Sequence, residues 1–162
     1  MIRVQEEDFD LGLELSRLTE GNHTIGGLCS FVGLVRDMAG DEEISAMTLE
    51  HYPGMTETAL AEIEAQALER WSLDATLIIH RYGRLQPGEQ IVLVAAASAH
   101  RDVAFDACHF LIDWLKTKAP FWKLEDTPGG GSWVDAKESD NSAATRWDQP
   151  TTLIDDDNGV AG

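Results

Sequence analysis

The spacing of apolar and polar positions changes several times along the chain, which predicts a mixture of strands and helices. Residues 24–35 combine β-branched and aromatic side chains with glycines, a pattern typical of a strand with close backbone packing or a bulge. From Ile44 the polarity alternates, which predicts a second strand. The polar loop RDMAGDEE separates the two segments, so we expect the two strands to pair as a hairpin with a long loop.

Two further segments show helical spacing. Residues 56–70 are rich in Ala, Glu and Leu, and Leu60, Ile63 and Ala67 fall on one helical face. Residues 102–118 carry apolar side chains at the same spacing. This helix is expected to stop before Pro120, because the residue preceding a proline avoids the helical conformation.

The remaining apolar runs predict more strands and define the fold class. Residues 75–85 and 89–98 predict two strands separated by the turn QPGE, and residues 127–134 predict a turn and a short final strand. This mixed order predicts an α+β fold rather than a doubly wound α/β sheet. We expect residues 1–147 to form a single domain and residues 148–162 to be an acidic, disordered tail.

Charge narrows the possible functions. Asp and Glu outnumber Lys and Arg by 29 to 12, giving a formal net charge of −17, which disfavours nucleic acid and anionic membranes as partners.

The start of the chain lacks a signal-peptide pattern, and we expect a cytoplasmic protein with reduced core cysteines at Cys29 and Cys108. The histidines form no metal-ligand motif, the sequence HRD lacks the asparagine of a kinase loop, and GGGS lacks the Gly-Lys of a phosphate-binding loop.

The few cations are concentrated in one part of the chain. Half of the Lys and Arg residues lie within residues 81–123. Each is most simply a solvated charge or an ion-pair partner. His100 and Arg101 stand where a strand leads into a helix N-terminus, and Arg36 ends another strand, so convergence on one rim predicts a site for an anionic ligand.

The segment KTKAPFWKLE contains two further cations of interest. Lys116 lies in the last turn of the predicted helix, where a cation complements the helix dipole. Lys123 follows two aromatic residues, where an aromatic face or Glu125 is an ordinary partner. A lysine that is partly desolvated or close to another cation can also act as nucleophile, base or proton donor near neutral pH.

Five motifs taken together resemble a known family. FVGLVRD, MTLEHYPGMTE, HRYGRLQPGE, SAHRDVAFDAC and LKTKAPFWKLE, followed by WVDAKESD, occur in the order seen in the catalytic (large) subunit of molybdopterin synthase. The resemblance implies an α/β hammerhead fold with an additional antiparallel β sub-domain. It also implies a sulfurtransferase that needs no metal or organic cofactor. The enzyme would convert cyclic pyranopterin monophosphate to molybdopterin with the C-terminal thiocarboxylate of a small ubiquitin-like sulfur carrier, as a homodimer that forms a heterotetramer with two carriers.

The resemblance also implies roles for individual residues. Lys116 and Lys123 match the catalytic lysines. The implied substrate-binding residues are Leu34, Val35, Arg36, His100, Arg101, Lys116, Lys123, Leu124 and Glu125. Leu124 departs from the family, in which this position is often basic. A non-catalytic scaffold that binds the carrier or a phosphorylated pterin is the alternative interpretation, and the presence of both lysines with Arg36 and His100 argues against it.

Overall fold

The computed structural model of the chain describes residues 1–39, 42–134 and 146–147. In chain order, the elements are β1 Ile2–Gln5, α1 Leu11–Thr19, β2 Gly27–Leu34, β3 Met38–Ala39, β4 Glu42–Glu43, β5 Ala46–His51, α2 Met55–Arg70, β6 Ala75–Arg81, β7 Gly83–Leu85, β8 Gln90–Ser98, α3 Arg101–Lys118, β9 Phe121–Thr127 and β10 Gly130–Val134. The predicted acidic tail, residues 148–162, lies outside the described residues.

The first sheet has four strands in the order β1-β6-β8-β2. Strand β1 is parallel to β6, whereas β6 and β2 are both antiparallel to β8. Successive residues of β8 face opposite sides, so that Val92 and Val94 join the core under α2 and α3, while Leu93 packs on the side of α1. Helices therefore cover both faces of this sheet.

The second sheet is antiparallel and has the strand order β10-β9-β5-β7. It is joined to the first sheet through α3, which leads directly into β9. Strands β3 and β4 form a separate two-stranded ladder between β2 and β5. A helix-covered sheet with a second, antiparallel sheet confirms the predicted α+β class.

The largest apolar core lies between the first sheet and helices α2 and α3. Leu60, Ile63 and Ala67 of α2 are all buried there, as their helical spacing predicts. Phe110 and Leu111 of α3 are fully buried in the same cluster. The amphipathic character of both helices is confirmed. None of the helices in the described ranges is long and apolar enough to span a membrane.

Two expectations about strand pairing are wrong. Strands β2 and β5 do not form a hairpin: β2 pairs with β8, and β5 pairs with β7 and β9 in the other sheet. Residues 75–85 are not one strand, because the chain leaves the first sheet after Arg81 and enters the second at Gly83, whose φ of 89° suits a glycine. Strands β1 and β9 and helix α1 are not predicted from the residue patterns.

Candidate active site at the junction of the two sheets

A cavity of about 820 Å³ lies where the two sheets and the end of α3 meet. Its walls come from β2, β5, the last turns of α3 and β9, together with the segment around Arg36. Much of the lining is apolar, with Phe31, Ile44, Met47 and Leu115 among the residues that form it. An apolar cleft with a few polar groups is the usual form of a small-molecule site.

The end of α3 brings both predicted catalytic lysines to this cavity. Lys116 is exposed in the last turn, and the helix stops at Lys118. Ala119, just before Pro120, has extended backbone angles, with φ −73° and ψ 125°, so the chain turns directly into β9. Lys116 and Lys123 consequently line the same cavity from a helix end and from a strand.

The side chains of β9 alternate between two faces of the sheet, so the predicted site residues of this strand do not all lie at the cavity. Phe121, Lys123 and Glu125 line the cavity, whereas Leu124 is not part of its lining. In a strand, successive side chains point to opposite faces, which places Leu124 on the other face of the sheet. Its side chain approaches Gly131 of β10. The structure therefore gives Leu124 a packing contact with β10.

Glu125 is a buried carboxylate paired with a predicted catalytic lysine. It is 6% exposed, and its Oε1 forms an ion pair with the Nζ of Lys123, whose side chain is 28% exposed. A carboxylate this deep is stabilised by a close cation, and its removal would leave the ammonium group of Lys123 without this partner. Glu125 therefore holds Lys123 on the cavity wall.

Arg36 extends from an anchored stretch of backbone. Val35 is buried, its amide donates to the carbonyl of Glu89 at 2.9 Å, and its carbonyl accepts from the amide of Gly88 at 2.8 Å. Leu34 and Arg36, on either side of Val35, both line the cavity. Arg36 is exposed and has no ion-pair partner among the residues that the structure describes. Its guanidinium group is thus available to an anionic ligand.

His100 and Arg101 lie at the opposite end of α3. The helix rises about 1.5 Å per residue, which separates Arg101 from Lys116 by about 22 Å along the axis. The Arg101 side chain is 83% exposed, and its Nε lies 3.5 Å from Oδ1 of Asp102. Gly27 packs against this turn so closely that a Cβ there would lie 3.0 Å from the Cα of Arg101. Within one chain, these two residues do not join the cavity.

His80 is a cavity residue that the sequence analysis does not identify. It follows the apolar run TLII in β6, is 5% exposed, and stacks on Phe121 with ring centroids 3.6 Å apart and an interplanar angle of 15°. Burial is the main reason that its pKa is lowered to about 4, and His51 lowers it further. The sequence feature that could have identified it is a titratable side chain directly after the apolar run of a predicted strand.

The charges around the cavity favour an anionic ligand. Arg36, Lys116 and Lys123 supply three cations, and Glu125 supplies one buried anion. These cations lie on a protein with a net charge of −17, so their convergence gives the cavity a local field opposite to that of the whole surface. No group of three or more His, Cys, Asp or Glu residues in the described ranges is arranged to hold a metal ion.

Comparisons with known proteins identify the family. The sequence model of the MoaE protein family matches residues 4–118. The chain belongs to the MoaE family. A curated relative from Ralstonia nicotianae, named molybdopterin synthase catalytic subunit, is 56% identical over 146 residues, covering 90% of this chain and 83% of the relative. One from Pseudomonas aeruginosa with the same name is 55% identical over 148 residues, covering 91% and 99%.

Solved structures share the fold. The MoaE protein of molybdopterin biosynthesis from Burkholderia ambifaria matches with a TM-score of 0.80 and 51% identity, covering 92% of this chain and 98% of that one. A complex of subunits 1 and 2 of molybdopterin-converting factor from Helicobacter pylori matches with a TM-score of 0.67 and 22% identity, covering 85% and 90%, which shows the fold alone. The predicted family, and with it an enzyme of molybdopterin biosynthesis, is confirmed.

Proposed function

We propose that this chain transfers sulfur from the C-terminal thiocarboxylate of a small ubiquitin-like carrier to cyclic pyranopterin monophosphate, producing molybdopterin. The observation that carries the proposal is the convergence of Lys116, Lys123 and Arg36 on one cavity in a member of this family. Both reactants are anionic, so their approach needs cations that offset their mutual repulsion. The cavity offers three such groups.

Each transfer forms two bonds and breaks two. The thiocarboxylate sulfur attacks a carbon attached to the pterin ring and forms a carbon–sulfur bond, while a carbon–oxygen bond at the same carbon breaks and its oxygen leaves with the electron pair and takes up a proton. Water then attacks the acyl carbon, the acyl–sulfur bond breaks, and its electron pair stays on sulfur as a thiolate. The carrier leaves with an ordinary carboxylate. Two such transfers supply the two sulfurs of the product.

The two lysines are proposed as the catalytic residues. An ammonium group beside the acyl oxygen polarises the acyl–sulfur group and stabilises the negative charge that develops during water attack. A lysine can also transfer a proton or hold the carrier terminus transiently as an amide. Since Lys123 is fixed by Glu125 while Lys116 is exposed at a helix end, we expect the two lysines to have different roles.

We propose that His100 and Arg101 act on the site of a second copy of the chain. These residues are proposed to bind substrate, yet about 22 Å of helix separates Arg101 from Lys116 in the same chain. A two-fold symmetric dimer joins the same surface patch of both copies, and a residue of one copy contacts a different residue of the other, so each copy can place its α3 N-terminus beside the cavity of the other. The proposed homodimer and the proposed anion-binding residues therefore depend on each other.

The proposed partner is the ubiquitin-like carrier, in a heterotetramer of two carriers and two copies of this chain. The relatives are named molybdopterin synthase catalytic subunit, and the Helicobacter pylori structure is described as a protein–protein complex of subunits 1 and 2 of molybdopterin-converting factor. We propose the cytoplasm as the compartment, because Cys29 and Cys108 are both free, as is usual under reducing conditions.

The decisive experiment combines the purified chain with thiocarboxylated carrier and cyclic pyranopterin monophosphate. We expect molybdopterin to form, and the carrier to be recovered with a carboxylate terminus, as measured by mass spectrometry. Carrier that lacks the thiocarboxylate is the matched control. Binding of the carrier without any molybdopterin would instead support the non-catalytic scaffold.

A further inference from the structure

The ring of His80 is held in one orientation by two contacts. Its Nδ1 lies 2.8 Å from the carbonyl oxygen of Arg81, and its ring stacks on Phe121. A carbonyl oxygen only accepts hydrogen bonds, so Nδ1 carries the proton. In the neutral ring, Nε2 then has a lone pair and no hydrogen. The structure thus fixes the tautomer as well as the orientation of this histidine.

The second ring nitrogen has no partner in the protein. No described residue donates a hydrogen bond to Nε2. The described polar side-chain atoms that are enclosed and unpaired are Arg3 Nε, Arg70 NH1 and Trp114 Nε1, and His80 Nε2 is not one of them. An unpaired nitrogen that is not enclosed must reach open space, and the space that His80 lines is the cavity, so we infer that Nε2 faces it. A phenylalanine could stack on Phe121 equally well without bringing an unpaired acceptor into an apolar wall.

We propose that His80 is a substrate-binding residue whose Nε2 accepts a hydrogen bond from an N–H group of the pterin ring. The inference rests on the proposed function for the identity of the ligand. Pterins carry amino and ring N–H donors, which need acceptors when they enter a closed cavity. The other polar side chains among the described lining residues are three cations that cannot accept, Arg36, Lys116 and Lys123, together with the Thr117 hydroxyl and the Glu125 carboxylate. The hydroxyl donates to the backbone of α3, and the carboxylate pairs with Lys123, so His80 Nε2 is the acceptor that has no partner in the described part of the protein.

The surroundings keep this acceptor uncharged. Protonation of His80 would add a buried cation to a cavity that already contains Arg36, Lys116 and Lys123, with His51 nearby. Among the described lining residues, Glu125 is the one carboxylate. The lowered pKa of His80, about 4, means that the ring stays neutral throughout the physiological range. We therefore expect its contribution to substrate binding to be independent of pH between about 6 and 8.

The test compares His80→Phe with His80→Gln. Phenylalanine keeps the stack and removes the acceptor, whereas the glutamine amide oxygen reaches about the same place as Nε2. We expect His80→Phe to weaken binding of cyclic pyranopterin monophosphate, measured by calorimetry, by roughly tenfold, and His80→Gln to recover part of the loss. KM should rise with kcat nearly unchanged, and carrier binding should stay the same. His23→Phe, at an exposed histidine, is the matched control.

Each outcome decides between the inference and the function on which it rests. If the unaltered chain makes molybdopterin and folded His80→Phe binds substrate normally, the inference is overturned and the function stands. A loss confined to kcat would mean that His80 serves a lysine rather than the substrate, which also overturns it. If no molybdopterin forms but substrate binds to the unaltered chain and more weakly to His80→Phe, the proposed function fails and the binding role stands. Should His80→Phe not fold, His80→Leu is measured in the same way.

Discussion

A mixed dimer tests whether the active site is shared between two copies of the chain. The perturbation places Lys123→Ala in one copy and Arg101→Ala in the other. Each altered homodimer carries the same defect in both of its sites. In the mixed dimer, one site combines both substitutions, whereas the other combines an intact Lys123 with an intact Arg101 from the opposite copy. Coexpression with two different affinity tags allows the mixed dimer to be purified.

The expected magnitude follows from the geometry. If Arg101 contributes across the interface, the mixed dimer regains one of two sites, and about half of the activity of the unaltered dimer is expected. The Arg101→Ala homodimer should bind substrate roughly tenfold to hundredfold more weakly, which corresponds to about 1.5–3 kcal/mol for one charge-assisted contact. Activity is therefore measured by molybdopterin formation at substrate concentrations below KM.

Two results would contradict an active site shared between two copies. A mixed dimer no more active than the two homodimers would show that Arg101 does not act on the opposite copy. An Arg101→Ala homodimer with normal substrate affinity would remove Arg101 from the substrate site altogether. Arg17→Ala is the matched control, because Arg17 is an exposed arginine on α1, which packs on the other face of the first sheet.

Three further outcomes are expected. Lys116→Ala and Lys123→Ala should each abolish molybdopterin formation while circular dichroism stays unchanged; normal turnover by both folded variants would contradict the proposed mechanism. The pKa of His80 falls from 6.5 to about 4 on folding, so between these pH values the unfolded chain binds more protons than the folded chain. As pH falls from 6.5 to 4, the free energy of unfolding should therefore decrease by about 3 kcal/mol because of this residue. Thermal unfolding of His80→Gln should show a weaker pH dependence, and an unaltered one would contradict the lowered pKa. Trp147 donates to Asp113 at 2.9 Å and packs on the α2–α3 core, so Trp147→Ala should destabilise the chain by about 2 kcal/mol in urea unfolding; no shift of the midpoint would show that this contact is dispensable.

Local patterns were sufficient for the helices and for several strands. The spacing of Leu60, Ile63 and Ala67 predicts the buried face of α2, because burial of a helix requires apolar residues at that period. Pro120 predicts the end of α3, since its ring restricts the residue before it. These features depend on neighbours within a few residues, so no knowledge of the rest of the chain is needed.

Strand pairing could not be obtained in this way. The loop between β2 and β5 suggests a hairpin, yet β2 pairs with β8, about sixty residues further along the chain. Which strands pair depends on how much apolar surface each arrangement buries against α3, and that is a property of the whole chain. The exit of the chain from the first sheet near Gly83 has the same origin.

The residues of the candidate site were likewise predicted in part from the sequence, whereas their arrangement was not. The order of motifs in the sequence is enough to indicate the family and the pair Lys116 and Lys123. Only the tertiary structure brings Lys116, Lys123 and Arg36 around one cavity, adds His80 from β6 of the first sheet, and leaves Arg101 at the far end of α3. The physical reason is that a sequence motif records which side chains are present, whereas distances between them are set by the length of a rigid helix and the pairing of strands.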